Sequence, residues 1–238
     1  MQEIVRVAAT SDLHGELGSL VEEVGDADIL VIAGDIQNAD YLTLPEDYFI
    51  KSFFPLIKSL KCQVVATPGN HDFWLRKHLN QYRPKVKFPK NFHLLVDEGI
   101  ELCGLKFYGT PWVPRINGLW AFERDDGFIE EFKMIPAGID VLITHTPPRI
   151  DKAQIDVSLE WSEAMRRHFG SYQLYRTIEE MQPKVNICGH IHSGAHSPAY
   201  INNTMCLNTS RVNESYNVAY KLLQLEFRGG QVELKSIK

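Results

Sequence analysis

An aspartate and a histidine two residues apart, Asp12 and His14 in SDLHG, are the first side chains able to do chemistry together. In extended backbone, side chains at i and i+2 leave the same face, roughly 6.5–7 Å apart along the strand, so a carboxylate and an imidazole can converge on one cation. GHIH repeats the spacing with two imidazoles, His190 and His192, and paired histidines after an apolar run favour a metal over a core pair. Asp35 closes DILVIAGD. Its two oxygens could bridge two cations, although a lone aspartate there is ordinarily a helix cap. In PGNHD, Asn70 offers a neutral carbonyl oxygen, His71 a proton donor, and Asp72 an acceptor able to fix the tautomer of His71. His145 follows IDVLIT and, taken singly, reads as a hydrogen-bonded histidine. Each motif has an ordinary structural explanation. Together they place five of the nine histidines at the ends of strand-like runs with acidic partners, and a metal site accounts for all five at once.

The elements that must position these residues follow from periodicity. Residues 4–10, 28–33 and 62–67 are apolar, β-rich runs, the second almost uninterrupted, as in strands buried on both faces. A short helical pattern covers 16–24. A longer one spans 45–60, with Pro45 in the first turn and Phe49, Phe53, Leu56, Ile57 and Leu60 on one stripe. The opening third is therefore βαβαβ, each strand delivering one motif from its C-terminal end, where open α/β sheets place their sites. Strands are expected near 92–96, 99–103, 105–110, 139–144 and 184–188, with a Pro-, Gly- and Trp-rich loop over 110–122. Helical pattern fills most of 159–181, interrupted at Gly170. Asn202-Asn203 turns between short strands, 216–228 reads as one long strand, and Gly229-Gly230 leads into a last strand over 231–237.

The 238 residues are 44% hydrophobic and 23% charged, with no linker, repeat or composition shift, so a single domain over 1–238 is expected. A net charge of −5 supplies no global field for nucleic acid. The N-terminus reads as a core strand and not a signal peptide. No apolar run approaches the ~20 residues that span a bilayer. Cys62, Cys103, Cys188 and Cys206 are widely spaced without a CxxC pattern and read as buried free thiols of a reducing compartment, hence a cytoplasmic protein without membrane partners.

SDLHG, GD, GNHD, the later His145 and GHIH, ordered over about three quarters of the chain, resemble the calcineurin-like metallophosphoesterase superfamily. YGTPWVP, FKMIP, ITHTPP and the final GHIH resemble its metallophosphoesterase-domain (MPPED-type) branch, which is like class III cyclic nucleotide phosphodiesterases. The resemblance implies an α/β four-layer αββα sandwich of two facing mixed sheets with outer helices. It implies that Asp12, His14 and His192 hold one metal, that Asn70, His145 and His190 hold the other, and that Asp35 bridges. Some members of the branch carry Gly at the position matching His190; its retention here implies a complete two-metal site. Thr146 stands where the animal members carry Gly, a difference that bears on substrate preference.

The reaction so implied is phosphoester hydrolysis by a hydroxide shared between two divalent ions, attacking in line. Two dications, two ligand carboxylates and one hydroxide leave a local charge of about +1, which attracts a phosphodiester despite the negative total. His71 stands outside the implied ligand set, suited to protonating the leaving group with Asp72 orienting it. The donors are nitrogen and oxygen without thiolate. Mn²⁺ is the first expectation, and Fe, Zn²⁺ and Ni²⁺ are compatible. The branch implies a small phosphodiester substrate, particularly a cyclic nucleotide. Trp112 and Trp120 could stack on a base or simply pack a loop. Arg115 and Arg149 could meet a phosphate or lie in solvent. Arg76, Lys77, Arg83, Lys85, Lys87 and Lys90 form a basic stretch that keeps open a nucleic-acid end-processing or nuclease activity, although such runs are mostly solvated charge. A phosphomonoesterase is a further alternative. A catalytically weak, metal-bound scaffold is another, against which the presence of His71 argues.

Overall fold

ILVIA at 29–33 is apolar at every position and mostly β-branched, so a strand there must bury both faces, and all five residues are buried.

 

The computed structural model describes residues 4–38, 43–79, 87–127, 129–150, 159–160, 167–193 and 196–235. In chain order the strands are β1 Ile4–Thr10, β2 Ile29–Ala33, β3 Gln63–Thr67, β4 Phe92–Leu94, β5 Glu98–Leu102, β6 Leu105–Thr110, β7 Val113–Pro114, β8 Glu123–Arg124, β9 Val141–Thr144, β10 Leu159–Glu160, β11 Arg167–His168, β12 Val185–Cys188, β13 Ala199–Ile201, β14 Thr204–Asn208, β15 Leu223–Arg228 and β16 Gln231–Lys235. One six-stranded sheet runs β16-β15-β1-β2-β3-β4, parallel from β1 to β4 and antiparallel at its β15 and β16 edge. The second runs β13-β14-β12-β9-β6-β5, parallel from β14 to β6 with an antiparallel strand at each edge.

Alternation along the strands sorts the core into three interfaces. Val7, Ala9, Ile29, Val31, Ala33 and Val65 of the first sheet meet Phe107, Val141, Ile143, Val185, Ile187 and Leu207 of the second. Ala8, Leu30, Ile32, Val64 and Ala66 point the other way, against the helices α1 Leu20–Val24, α2 Pro45–Tyr48, α3 Phe54–Ser59 and α4 Phe73–His78. On the far side, Leu142, Cys188 and Cys206 pack on a 3-10 turn at Glu130–Met134 and on α5 Tyr172–Met181. Three interfaces mean four layers, helix–sheet–sheet–helix, as the family resemblance implies.

Several local expectations change. The stripe over 45–60 is one helical run, but a π turn at Phe49–Phe53 separates α2 from α3. Pro55 explains it: proline has no N–H for the carbonyl four residues back, and its ring crowds that carbonyl. The pattern over 16–24 yields a helix only from Leu20. Of the pattern over 159–181, only Tyr172–Met181 is helix; Leu159–Glu160 pairs antiparallel with Arg167–His168, and 161–166 lies outside the described residues. Ser171 sets the helix start by accepting from the Leu174 N–H at 3.0 Å. The long strand over 216–228 begins only at Leu223. Residues 211–222 instead fold back, with the Ala219 and Tyr220 N–H groups both donating to the Arg211 carbonyl. Cys62, Cys188 and Cys206 are buried, whereas Cys103 is exposed in the hairpin turn between β5 and β6.

Arg211 pins that folded segment. Its guanidinium, 1% exposed, donates to both carboxylate oxygens of Glu23 at 3.0 Å and to Ser19 Oγ at 2.9 Å, tying 211–222 to α1. Burial works to raise the Glu23 carboxyl, but its hydrogen bonds from Arg211 and Ser19 prevail and hold it down at about 2. A depressed carboxyl stabilises the fold fully above its ordinary value near 4.5, and that contribution disappears as pH falls toward about 2. Arg211→Ala should cost about 3–5 kcal/mol in urea denaturation at neutral pH. The variant should also lose this pair's share of the acid dependence between those two values.

Candidate metal centre

The parallel strands of both sheets end on the same side, and their C-terminal loops carry all seven expected ligands. β1 leads to Asp12 and His14, β2 to Asp35, β3 to Asn70, β9 to His145, and β12 to His190 and His192. Gly34, Gly69 and Gly189 let these loops meet. A Cβ at Gly34 would overlap the His145 ring, one at Gly69 the Asp35 carboxylate, and one at Gly189 Ser11 Oγ and the Asp12 carboxylate. Asp12, His14, Asp35 and His190 themselves hold positive φ, at 51°, 43°, 50° and 71°. Such backbone costs about 1–3 kcal/mol per residue and persists where surrounding packing over-determines it.

Two donor groups share one carboxylate. Asp12 Oδ1 lies 3.5 Å from His192 Nε2, which faces His14 Nε2 at 3.2 Å. His145 Nε2 lies 2.9 Å from Asn70 Oδ1. Asp35 Oδ2 stands between the groups, 3.6 Å from His14 Nε2 and 3.2 Å from His145 Nε2. The His190 ring packs edge-on to that of His145, with centroids 5.0 Å apart, and the His190 backbone N–H donates to Asp12. His145 Nδ1 donates to the Ala33 carbonyl at 2.9 Å and His192 Nδ1 to the Asn213 carbonyl at 3.2 Å, so each Nε2 is the nitrogen that offers a lone pair once the ring loses its second proton.

The residues fit divalent cations. Asp12 and Asp35 are 0% and 2% exposed, and the charged partners they find among the described residues are imidazoles. Burial raises both carboxyls, yet the surrounding histidines hold each below the usual carboxylate range. Burial would lower the His145 ring, but Asp35 and then Asp12 push it up to about 9; His192 is also raised against burial by Asp12. Burial brings His14 down to about 4, and burial with the His145 charge brings His190 down to about 3. Protonated imidazole thus supplies a counter-charge that a cation would replace, releasing protons. His14 Nδ1 is buried without a hydrogen-bond partner among the described residues, an imbalance of the kind that marks a functional site.

His71 and Asp72 differ from the expected pairing. The His71 N–H donates to Asp35 Oδ1 at 2.8 Å, while its ring lies 4.0 Å from Asp35 Oδ2 and 4.4 Å, centroid to centroid, from Trp120. The Asp72 carboxylate accepts instead from the N–H groups of Ile36, Gln37 and Gly69, at 2.7–3.2 Å, and so ties the β2 and β3 loops together. Its orienting role toward His71 is replaced by this backbone clamp. Burial and the nearby Asp35 charge push Asp72 up to about 7.

The expected substrate contacts separate. Trp120 and Tyr216 wall a cavity of about 1090 Å³ together with His14, His71, Phe73 and Tyr48. Trp112 is elsewhere, its indole N–H donating to Asp97 at 2.8 Å and its ring under Arg124 at 3.8 Å. Arg115 pairs with Asp125 at 3.6 Å, and the exposed Arg149 is not in the cavity wall. Thr146 is buried with its hydroxyl toward the Pro147 carbonyl. Of the basic stretch, Arg76 lies beside Trp120, Lys87 and Lys90 line a groove against Phe54, and Arg83 and Lys85 lie outside the described residues. Tyr216 had no motif to reveal it. It reaches the site because 211–222 folds back, at φ 60° and with its ring 4.7 Å from His14 and 5.4 Å from His192. Ser11, whose hydroxyl donates to Asp12 at 2.6 Å, was likewise hidden beside a louder motif.

Residues 5–194 match the family described as calcineurin-like phosphoesterase. Human metallophosphoesterase domain-containing protein 1 is 29% identical over 238 aligned residues, covering 87% of this chain and 68% of its own length. A solved structure 19% identical superposes with a TM-score of 0.68, covering 99% of this chain and 100% of that one. Phosphopantetheinyl hydrolase from Mycobacterium tuberculosis is 13% identical, with a TM-score of 0.52 over 91% of this chain and 92% of that one. At these identities the two structures speak for the fold.

Gly189→Ala tests the close approach. It should keep its far-UV circular dichroism and lose about 10–100-fold in divalent-metal affinity by calorimetric titration, because its methyl displaces Ser11 and Asp12.

Proposed function

The chain belongs to the calcineurin-like phosphoesterase family and is a metal-dependent phosphoesterase, and we propose that it hydrolyses nucleotide phosphodiesters, cyclic nucleotides among them, at a two-metal centre. The observation that carries this reading is the position of Asp35 Oδ2, within 3.2–3.6 Å of a donor from each group. Asp12, His14 and His192 would hold one cation, Asn70, His145 and His190 the other, and Asp35 both. When bound, such a pair supplies a water of lowered pKa and neutralises phosphoryl oxygens. The nitrogen and oxygen donors suit Mn²⁺ first, with Fe, Zn²⁺ and Ni²⁺ compatible.

His71 performs the other half of the chemistry. Its backbone is anchored to Asp35 and its ring, 21% exposed, reaches the cavity between the ligands and Trp120. From there it donates a proton to the departing alkoxide. Asp72 acts one step removed, holding the loops that place Asp35 and His71. The cavity exceeds what a phosphate alone needs, and Trp120, Tyr216 and Phe73 offer aromatic surface for a base. This favours a diester with organic groups on both sides over a monoester.

Metal-dependent turnover of bis-p-nitrophenyl phosphate, abolished by Asp35→Asn, is the expected result; no turnover with any of the four metals would favour the scaffold reading. His71→Ala should bind metal and lose about 10²–10⁴-fold in kcat on an alkoxide leaving group. Its loss on p-nitrophenolate, which leaves without a proton, should be smaller. Equal losses on both would overturn the acid role.

A further inference from the structure

Trp120 has two sides. One lines the metal cavity, where its ring meets His71. The other lines a separate concavity of about 330 Å³ whose wall includes Arg76, Arg115 and Arg124. The loop that carries Trp120 is tied to the metal centre, since the Ala121 N–H donates to the carbonyl of Asn70 at 3.0 Å.

The arginines are held in place. Arg76 donates to the Trp120 carbonyl at 3.4 Å and lies 5.9 Å from the centre of the Phe122 ring. Arg124 stacks on Trp112 at 3.8 Å and reaches Glu131 at 3.4 Å. Arg115 folds over Gly118, whose φ is 84° and where a Cβ would sit 3.1 Å from its Nη2. Two carboxylates share the wall. Asp125 faces Arg115 at 3.6 Å, and Glu123 is turned onto the N–H groups of Ile116, Asn117 and Trp120. Glu131 meets Arg124 from outside the wall and Asp125 meets Arg115, so the cluster carries no net charge, but Arg76 has no carboxylate partner among the described residues and the Glu123 oxygens are taken by backbone N–H groups. Guanidinium forks match phosphate oxygens bidentately.

We infer that this concavity is a second phosphate subsite on the leaving-group side of the metal centre, so that linear diesters whose leaving half bears another phosphate are preferred over cyclic ones. The inference rests on the phosphodiesterase reading above. Its direction comes from His71: the leaving oxygen departs toward the proton donor, the donor's ring lies against Trp120, and the arginines stand behind Trp120. A cyclic nucleotide has one phosphate and keeps its leaving oxygen attached, so it gains nothing there.

The test compares dinucleoside monophosphates with and without a terminal phosphate, placed at either the 5′ or the 3′ end so that either leaving alcohol is covered. With the metal-loaded protein, one of the two terminal phosphates should raise kcat/KM by about tenfold. The double variant Arg76→Gln, Arg124→Gln should bring that ratio close to one. The ratio is taken within each variant, so a general loss of activity cancels, and the tenfold gain should shrink as salt is raised. Wild-type ratios near one at both ends would overturn the subsite, and so would a gain that survives in the double variant. Turnover of bis-p-nitrophenyl phosphate separates the two readings. If it proceeds without a terminal-phosphate effect, only the subsite falls; if no ester is hydrolysed, the enzyme reading falls and the subsite with it.

Discussion

A carboxylate removed from water is costly unless charge and hydrogen bonds meet it. Asp35 is 2% exposed, one oxygen taken by the His71 N–H and the other set between His14 and His145. Asp12, also buried, is met by Ser11, His190 and His192. Neither acid has a lysine or arginine partner among the described residues, so imidazoles are the charged groups that meet them. Two carboxylates held this closely need loops from both sheets at one point, and the sandwich satisfies that need.

The surrounding structure can be read as the means of holding those loops. Glycines stand immediately before Asp35, Asn70 and His190, where any side chain would strike a neighbouring ligand or its support. Four of the candidate ligands, Asp12, His14, Asp35 and His190, hold left-handed backbone. Asp72 uses its carboxylate on three backbone N–H groups of two loops, at the cost of its own burial. Arg211 and Glu23 do the equivalent for 211–222, which brings the Asn213 carbonyl to His192 and the Tyr216 ring to His14. Stability and site geometry are coupled through these pins: weakening one moves a ligand's support as well as the fold.

Trp120 shows how a loop without regular structure acquires a role. Its neighbour Ala121 bonds to the backbone of Asn70, so the loop is tied to that residue and presents an indole to His71. Trp112, eight residues earlier and chemically identical, is spent on Asp97 and Arg124. Composition and spacing do not distinguish the two; the fold assigns them.

Strands over 4–10, 29–33, 63–67, 105–110, 141–144 and 185–188 were legible because buried strands demand mostly apolar runs, and the convergence of the candidate ligands was legible because each follows such a run. Helix boundaries in 159–181 and the strand over 216–228 were misread because local periodicity carries no information about the Ser171 cap or the Arg211 carbonyl that folds the chain back. The amino-acid sequence alone therefore determined the donor types, their order and the layered fold, since these depend on side-chain chemistry and on period. Only the tertiary structure decided that Asp72 clamps loops and does not orient His71, that Trp120 and Tyr216 face the site while Trp112 does not, and that three arginines gather behind Trp120. Those facts depend on contacts between residues far apart in the chain, and no local pattern encodes which distant backbone a side chain will meet.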